Sequence, residues 1–211
     1  MAAHEDALSS QSAVHMRQLP MEYSTPDGAL RIFGFWTFLV TDMLLFSCLF
    51  ATYAILYRHI ATGPAPSALF DARGYTLETI ILLTSSFTSA IATYEMRRLN
   101  KSALVVWMVI TMLLGALFVG LEITEFTKDA LGGATMGESA FLSSFFTLVG
   151  THGLHVSFGI VWMTCVVIQL LQRGITPVTS RKVFITGLYW HFLDVVWVFL
   201  FTVVYLIGGM D

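Results

Sequence analysis

Eight ionisable side chains lie within long apolar stretches of this sequence, where such groups could exchange protons, bind a metal or hydrogen-bond another helix. They are Asp42, Glu78, Glu122, Glu125, His152, His155, His191 and Asp194. If these stretches cross a bilayer, a charged group near the centre costs about 2.5–3.5 kcal/mol, whereas an interhelical hydrogen bond returns about 0.6 kcal/mol on average. Stability alone therefore explains the set poorly, which makes these residues candidates for a proton, lipid or interhelical contact site.

The histidines of the stretch "THGLHV" are three residues apart, so on a helix they share one face. Two imidazoles on one face cannot bind a single haem from both sides, and nothing in this motif supplies the four ligands of a tetrahedral zinc site. Gly150 and Gly153 flank His152 and would let another helix approach closely. Three interpretations stay open for His152 and His155: interhelical packing with hydrogen bonds, a proton or lipid-headgroup role, and a redox metal.

Asp42 stands alone in a long apolar stretch, with no ionisable neighbour three or four residues away. An isolated carboxylate inside a membrane is by default a functional candidate. The competing interpretation is a protonated acid that hydrogen-bonds a neighbouring hydroxyl or carbonyl. The sequence leaves both open.

The composition identifies the kind of protein that must position these groups. Hydrophobic residues make up 56% of the 211 residues and charged residues only 12%, and the mean hydropathy is +0.74. These values exclude an ordinary soluble globule and indicate an integral membrane protein. The net charge of −3 and the lack of a basic block give no support to nucleic-acid binding.

Both cysteines, Cys48 and Cys165, fall in apolar stretches, so they are expected to be buried apolar residues rather than a disulfide.

Five apolar segments approach the length of about 20 residues that crosses a bilayer. We place them at 32–57, 77–94, 103–126, 140–171 and 183–207. The sequence therefore predicts an all-α, polytopic membrane protein built as a bundle of five transmembrane helices over residues 32–211, preceded by a cytoplasmic N-terminal arm at 1–31.

Orientation follows from the distribution of Lys and Arg between the two sides of these spans. Eight of the 11 basic residues fall in the N-terminal arm and the second and fourth links, and three fall on the other side. The positive-inside rule then places the N-terminus in the cytoplasm and the C-terminus in the periplasm. No internal repeat is visible, which weakens a secondary-transporter interpretation.

Counting about 1.5 Å per residue from these boundaries arranges the polar groups in two layers. Asp42, His191 and Asp194 fall about 12–16 Å from the cytoplasmic side, and Glu78, Glu122, His152 and His155 about 24–28 Å from it. We therefore expect hydrogen bonds to form within each layer, with Glu78 or Glu122 bound to the histidine pair.

Three stretches together resemble subunit III of the haem-copper terminal oxidases. They are "FGFWTFLVTDMLLFSCLFATYAIL", "FLSSFFTLVGTHGLHVSFGIVWM" and "YWHFLDVVWVFLFTVVYLIGG". The resemblance covers nearly everything after Arg31. Five spans, in place of the seven usual in the mitochondrial form, make the chain most similar to the branch found in bacterial cytochrome o ubiquinol oxidases.

The resemblance implies a non-catalytic subunit of a proton-pumping quinol oxidase in the bacterial inner membrane, with no catalytic residue and no metal on this chain. Haem and copper would belong to subunit I, the principal partner, with subunits II and IV beside it. The chain would bind phospholipids in a cleft, help assembly and sustain proton uptake. Because the two N-terminal spans are missing, a neighbouring subunit would complete that cleft.

The resemblance also carries over individual residues. Asp42 aligns with the family carboxylate that reacts with dicyclohexylcarbodiimide, which is Glu in cytochrome c oxidases. The family's other intramembrane polar positions correspond to Glu78, Glu122, His152, His155, His191 and Asp194. The alternatives are subunit III of a cytochrome c oxidase, a stand-alone proton-coupled transporter that uses Asp42 and Asp194, and a haem-binding membrane anchor.

Overall fold

The computed structural model describes residues 20–25, 27–57, 72–133, 137 and 139–206. Five long helices run in sequence: α1 Gly28–Leu56, α2 Ala72–Arg97, α3 Lys101–Leu131, α4 Ala140–Arg173 and α5 Pro177–Leu200. A 3₁₀ turn, Met21–Tyr23, precedes α1, and a π-helical turn, Phe201–Leu206, continues from α5. All five helices are long and apolar enough to cross a membrane, and the described ranges contain no strand. The predicted all-α bundle of five membrane helices is confirmed.

Most of the helices extend beyond the predicted apolar segments into more polar sequence, and the starts of α4 and α5 are capped by side chains. The side chain of Ser139 accepts a hydrogen bond from the Leu142 N–H at the start of α4. Thr176 and Thr179 form a reciprocal capping box at the start of α5, with Pro177 at the first helical position. As a result α5 begins six residues before the predicted position 183. Helix α1 begins four residues before position 32, although its N-cap residue Asp27 makes no capping hydrogen bond through its side chain. The predicted arm falls largely on residues 1–19, which lie outside the described residues.

Helix α5 occupies the centre of the bundle and α1 its edge. Residues that are buried within the protein make up 56% of the apolar window of α5 but only 22% of that of α1. Helix α5 packs against α1, α2 and α4, whereas α1 packs mainly against α4 and α5. One side of α1 is therefore left for lipid or another protein.

Tryptophans of α5 fill the core and are oriented by hydroxyl groups of α2. Trp190 and Trp197 are each at most 1% exposed. The Trp190 indole donates to Ser85 Oγ at 3.0 Å, and the Trp197 indole donates to Thr79 Oγ1 at 3.0 Å. A Cβ on Gly115 of α3 would lie 2.6 Å from the Trp190 ring, so this contact requires glycine.

The turn before α1 covers the end of the bundle where α2 finishes and α5 starts. Glu22 is completely buried and accepts two hydrogen bonds from the guanidinium of Arg97, at 2.9 and 3.2 Å. Arg181 of α5 donates to Thr25 Oγ1 at 2.6 Å. Two ionic side chains thus join residues of the N-terminal segment to helices far along the chain.

Candidate functional site

A buried hydrogen bond between α1 and α4 joins Asp42 to His155. The distance from His155 Nε2 to Asp42 Oδ1 is 3.2 Å, and the two side chains are 19% and 7% exposed. Asp42 therefore has a partner on another helix, although it has none within its own span. Its second oxygen, Oδ2, is buried and makes no hydrogen bond among the described residues.

The other nitrogen of His155 restricts where the protons of this pair can lie. His155 Nδ1 lies 2.7 Å from the backbone oxygen of Thr151. A carbonyl oxygen only accepts hydrogen bonds, so Nδ1 carries a hydrogen. The bond at Nε2 then holds one further proton, either on Asp42 with a neutral imidazole or on His155 beside a carboxylate. Both arrangements are neutral overall, and they differ by one proton moved along a single hydrogen bond.

This pairing crosses the two layers expected from the sequence, so the prediction that hydrogen bonds stay within one layer is wrong for Asp42. Counting from the observed helix ends does not remove the error. Asp42 and His191 each lie about 21 Å from the starts of α1 and α5, and His155 lies about 27 Å from the end of α4. The pairing instead follows from which helix α1 packs against, and α1 packs more extensively on α4 than on α5.

His152 lies in a separate environment of aromatic rings. It is fully buried, and its ring centroid is 5.3 Å from that of Trp197, 5.9 Å from that of Phe118 and 6.4 Å from that of Phe46. Neither nitrogen of His152 has a hydrogen-bond partner in the described part of the chain. Residues three apart on an α-helix are rotated by about 60°, which is enough for His152 and His155 to face different neighbours.

Glu122 and Glu78 do not bind the histidine pair, contrary to the prediction. Glu122 is 4% exposed, and its carboxyl group packs against α4 at Gly153, where an added Cβ would lie 2.7 Å from Glu122 Oε1. Glu122 Oε1 and Glu78 Oε2 are buried without a hydrogen-bond partner among the described residues. The glycine of "THGLH" thus makes room for a glutamate of α3.

Glu78 also lines a small cavity between α2 and α3, with a volume of about 220 Å³. Glu125, Lys128 and Asp129 of α3 line the same cavity, together with Gly74, Leu77, Leu121 and Thr124. Glu78 and Glu125 therefore share one polar site, separate from the pair of Asp42 and His155.

His191 and Asp194 contact α2 rather than Asp42. His191 Nδ1 lies 2.8 Å from Ser86 Oγ and 3.8 Å from Asp194 Oδ2. A catalytic Ser-His-Asp arrangement would place the serine and the aspartate at opposite ring nitrogens, and here both approach Nδ1. The three residues are therefore not arranged as a nucleophilic triad, and the contact joins α5 to α2.

An apolar groove of about 360 Å³ runs between α1 and α5. It extends from Trp36 to Phe50 along α1 and from Leu188 to Phe199 along α5. His191 is 41% exposed at its side chain and is one of few polar groups in the lining. The groove therefore suits a hydrocarbon chain, with an imidazole at one position along it.

In the described ranges, no group of three or more His, Cys, Asp or Glu residues is arranged to hold a metal ion. The free sulfhydryls of Cys48 and Cys165 are both exposed on the outer surface of the bundle, so the expectation that they are buried is wrong. The outer surface of a membrane bundle is as apolar as its interior, so apolar sequence context did not distinguish the two situations.

Sequence reasoning missed Glu22, the most deeply buried ion-paired carboxylate of the described residues. The available signal was the apolar pair Met21 and Tyr23 on either side of it, within otherwise polar sequence. It also missed the seam by which α1 packs. Buried residues recur there every seven positions, at Ile32, Leu39, Phe46 and Tyr53.

Comparison with known proteins gives a consistent result. Residues 27–209 match the family Cytochrome c oxidase subunit III. The chain is 53% identical over 189 residues to Quinol oxidase subunit 3 of Bacillus subtilis, covering 90% of this chain and 93% of that protein. It is 44% identical to Cytochrome bo(3) ubiquinol oxidase subunit 3 of Pseudomonas aeruginosa, over 90% of both chains. It is 45% identical to Cytochrome c oxidase subunit 3 of Bacillus sp. (strain PS3), over 90% of this chain and 91% of that protein.

Proposed function

This chain belongs to the cytochrome c oxidase subunit III family, and we propose that it is the third subunit of a bacterial terminal oxidase that passes electrons from a quinol to dioxygen. The observation that carries the proposal is the 53% identity to a quinol oxidase subunit 3 over 90% of the chain. The related cytochrome c oxidase subunit, at 45% identity, makes cytochrome c the alternative donor.

In this proposal the chain is a multi-pass membrane subunit without a redox centre of its own. Subunit I holds the haem and copper at which oxygen is reduced and is the main partner, with subunits II and IV in the same complex. The N-terminus lies in the cytoplasm, as the distribution of basic residues favours. Helix α1, with its large exposed apolar side, supplies a surface on which another membrane subunit can pack.

The groove between α1 and α5 is the proposed phospholipid site. Its lining on α1 runs from Trp36 to Phe50, about 21 Å along the helix, which exceeds the thickness of about 15 Å of one hydrocarbon leaflet. Arg31 lies about 7 Å beyond Trp36 and can contact a phosphate, because it is largely exposed and its ion pair with Asp27 is long, at 3.9 Å.

Asp42 and His155 are the proposed proton-exchanging pair of this subunit. The pair is buried, it is neutral in either arrangement, and one hydrogen bond separates the two positions of the proton. Such a pair can accept a proton from one side and release it after the carboxyl or the imidazole changes partner. The remaining intramembrane groups, Glu78, Glu122, Glu125, His152, His191 and Asp194, are proposed to serve interhelical or lipid contacts.

The test is purification of the complex through an affinity tag on this chain in mild detergent. We expect larger haem-bearing chains in a fixed ratio to it, and oxygen consumption that is faster with a ubiquinol analogue than with reduced cytochrome c. Preference for cytochrome c would select the alternative donor. A chain that purifies alone and moves protons after reconstitution would contradict the subunit assignment, and so would a haem spectrum from the isolated chain.

A further inference from the structure

His191 carries an imidazole at the middle of the membrane, on the wall of the groove between α1 and α5. The membrane span that contains it runs over Pro177–Tyr205, 29 residues, and His191 is the middle residue of that span. Its side chain is 41% exposed and lines the groove. Because the hydrocarbon layer is about 30 Å thick, lipid headgroups lie about 15 Å away on either side. The imidazole therefore faces a part of the groove that acyl chains reach but headgroups do not.

Within the described residues, the contacts of His191 use one of its two ring nitrogens. Nδ1 lies 2.8 Å from Ser86 Oγ and 3.8 Å from Asp194 Oδ2. These contacts leave Nε2 as the nitrogen that is available to a ligand. A polar atom without a partner is costly in hydrocarbon, and an acyl chain offers it neither a donor nor an acceptor. The occupant of this part of the groove therefore needs a polar group of its own, carried on an apolar molecule.

Ser86 allows Nε2 to act either as a donor or as an acceptor. A hydroxyl group both donates and accepts hydrogen bonds. When Ser86 donates to Nδ1, the ring hydrogen lies on Nε2 and can be donated to a carbonyl oxygen. When Nδ1 carries the hydrogen and donates to Ser86, Nε2 accepts from a hydroxyl group. The imidazole thus suits a ligand whose polar group changes between carbonyl and hydroxyl, which is the difference between a quinone and a quinol.

The walls of the groove suit the apolar parts of such a molecule. Five aromatic residues line the groove, and its volume is about 360 Å³, within the range of about 300–1,000 Å³ found for small-molecule sites. Aromatic side chains pack well against the face of another flat ring. Apart from His191 and Ser47, the rest of the lining consists of Leu, Val and Met side chains, which can contact a prenyl chain.

We propose that this groove binds a prenylquinone, with the head ring hydrogen-bonded to His191 Nε2 and the prenyl chain lying along α1. The proposal rests on the proposed function, because a complex that oxidises quinol works in a membrane that contains this class of ligand. Ser86 and Asp194 are positioning residues, since they contact the imidazole and not the ligand. A prenyl chain and a phospholipid acyl chain would occupy the same apolar surface, so the two ligands exclude each other.

The experiment maps a photoreactive quinone onto this chain. The purified complex, in nanodiscs of phosphatidylcholine, is irradiated with a short-chain azido analogue of ubiquinone, and mass spectrometry identifies the labelled peptides. We expect labelled peptides from α1 or α5, and suppression of this labelling by an excess of decylubiquinone. His191→Leu removes the ring nitrogens but keeps an apolar side chain, and it should reduce labelling by about three- to tenfold. His191→Gln retains a donor and an acceptor and should recover part of the labelling.

Two further variants keep the test independent of the folding of the His191 variants. Val195→Phe enlarges a side chain that lines the groove and is 50% exposed, so it should block labelling without altering the imidazole. Thr164→Val is the matched control, because Thr164 is also an exposed polar residue of a membrane span but lies on α4, outside the groove. It should be labelled as the unaltered chain is.

Three results would each overturn the proposal: labelling confined to other chains of the complex, labelling of this chain that decylubiquinone does not suppress, and equal labelling of the unaltered chain and His191→Leu. Oxygen consumption tests the proposed function separately. A complex that oxidises a ubiquinol analogue but carries no label on this chain refutes the site alone. A complex that oxidises only reduced cytochrome c refutes the proposed donor, whatever the labelling of this chain.

Discussion

The bond between Asp42 and His155 gives the most direct test of the structure, because the sequence alone suggested a different partner for Asp42. Replacing both residues by alanine, singly and together, completes a double-mutant cycle whose coupling energy measures this bond. The sequence-derived layers instead place Asp42 with His191. A second cycle, Asp42→Ala with His191→Ala, therefore serves as the control.

The expected coupling energy follows from the geometry of the pair. Breaking a fully buried ion pair costs about 3–5 kcal/mol, whereas interhelical hydrogen bonds in membranes average about 0.6 and reach about 1.7 kcal/mol. The separation of 3.2 Å is longer than the distance of about 2.7–2.9 Å typical of strong charge-assisted bonds, and His155 is 19% exposed. His155 also keeps its second bond, to Thr151. We therefore expect a coupling of about 1 kcal/mol, toward the membrane values.

The assay is reversible unfolding of the purified chain in mixed micelles, followed by tryptophan fluorescence, to which the buried Trp190 and Trp197 contribute together with the other three tryptophans of the chain. The control cycle should be additive within about 0.5 kcal/mol. A coupling for Asp42 and His155 below about 0.3 kcal/mol would refute the pairing, and a larger coupling in the control cycle would restore the layered arrangement.

Two predictions concern the packing of the bundle and its N-terminal turn. Gly115→Ala should lower the free energy of unfolding by about 1–3 kcal/mol, because the new methyl group overlaps the Trp190 ring. Gly120→Ala on the same helix is the control: its methyl group meets nothing within 4 Å, so the variant should be neutral or stabilised. Thermal unfolding of the two variants measures the difference. Glu22→Gln should lower the free energy of unfolding by about 1–2 kcal/mol and speed proteolysis of the N-terminal segment, because it removes a charge that is buried against Arg97. An unchanged cleavage rate would show that this ion pair does not hold the turn in place.

The five membrane helices could be predicted because the bilayer imposes one strong requirement. A segment must be apolar over about 20 residues to cross it, so hydropathy is enough to locate each span. The ends were less accurate, since helices continue into the interface where polarity no longer distinguishes helix from loop. Thr176, Pro177 and Thr179 carry a local start signal for α5 that hydropathy does not register.

The identities of the intramembrane polar residues could also be predicted, but their partners could not. Spacing along one helix shows which residues share a face, and it does not show which neighbour that face meets. His152 and His155 satisfy the same spacing rule, yet His152 is enclosed by rings of α1, α3 and α5 while His155 binds Asp42. Depth counted along each helix also does not show which helices are in contact, and the packing of α1 on α4 decides that Asp42 meets His155.

The position of Asp42 on α1 explains why a polar residue is useful at the edge of this bundle. Helix α1 packs through a seam formed by Ile32, Leu39, Phe46 and Tyr53. Lipid is as apolar as these side chains, so burying the seam does little to favour one axial position of α1 over another. Asp42 lies three residues after Leu39, at the second position of the same heptad pattern. A slide of α1 by one turn, about 5.4 Å, would leave apolar packing nearly as good but would separate Asp42 from His155. The bond therefore sets the register of the least buried helix, in the way a single buried polar pair sets the register of a coiled coil.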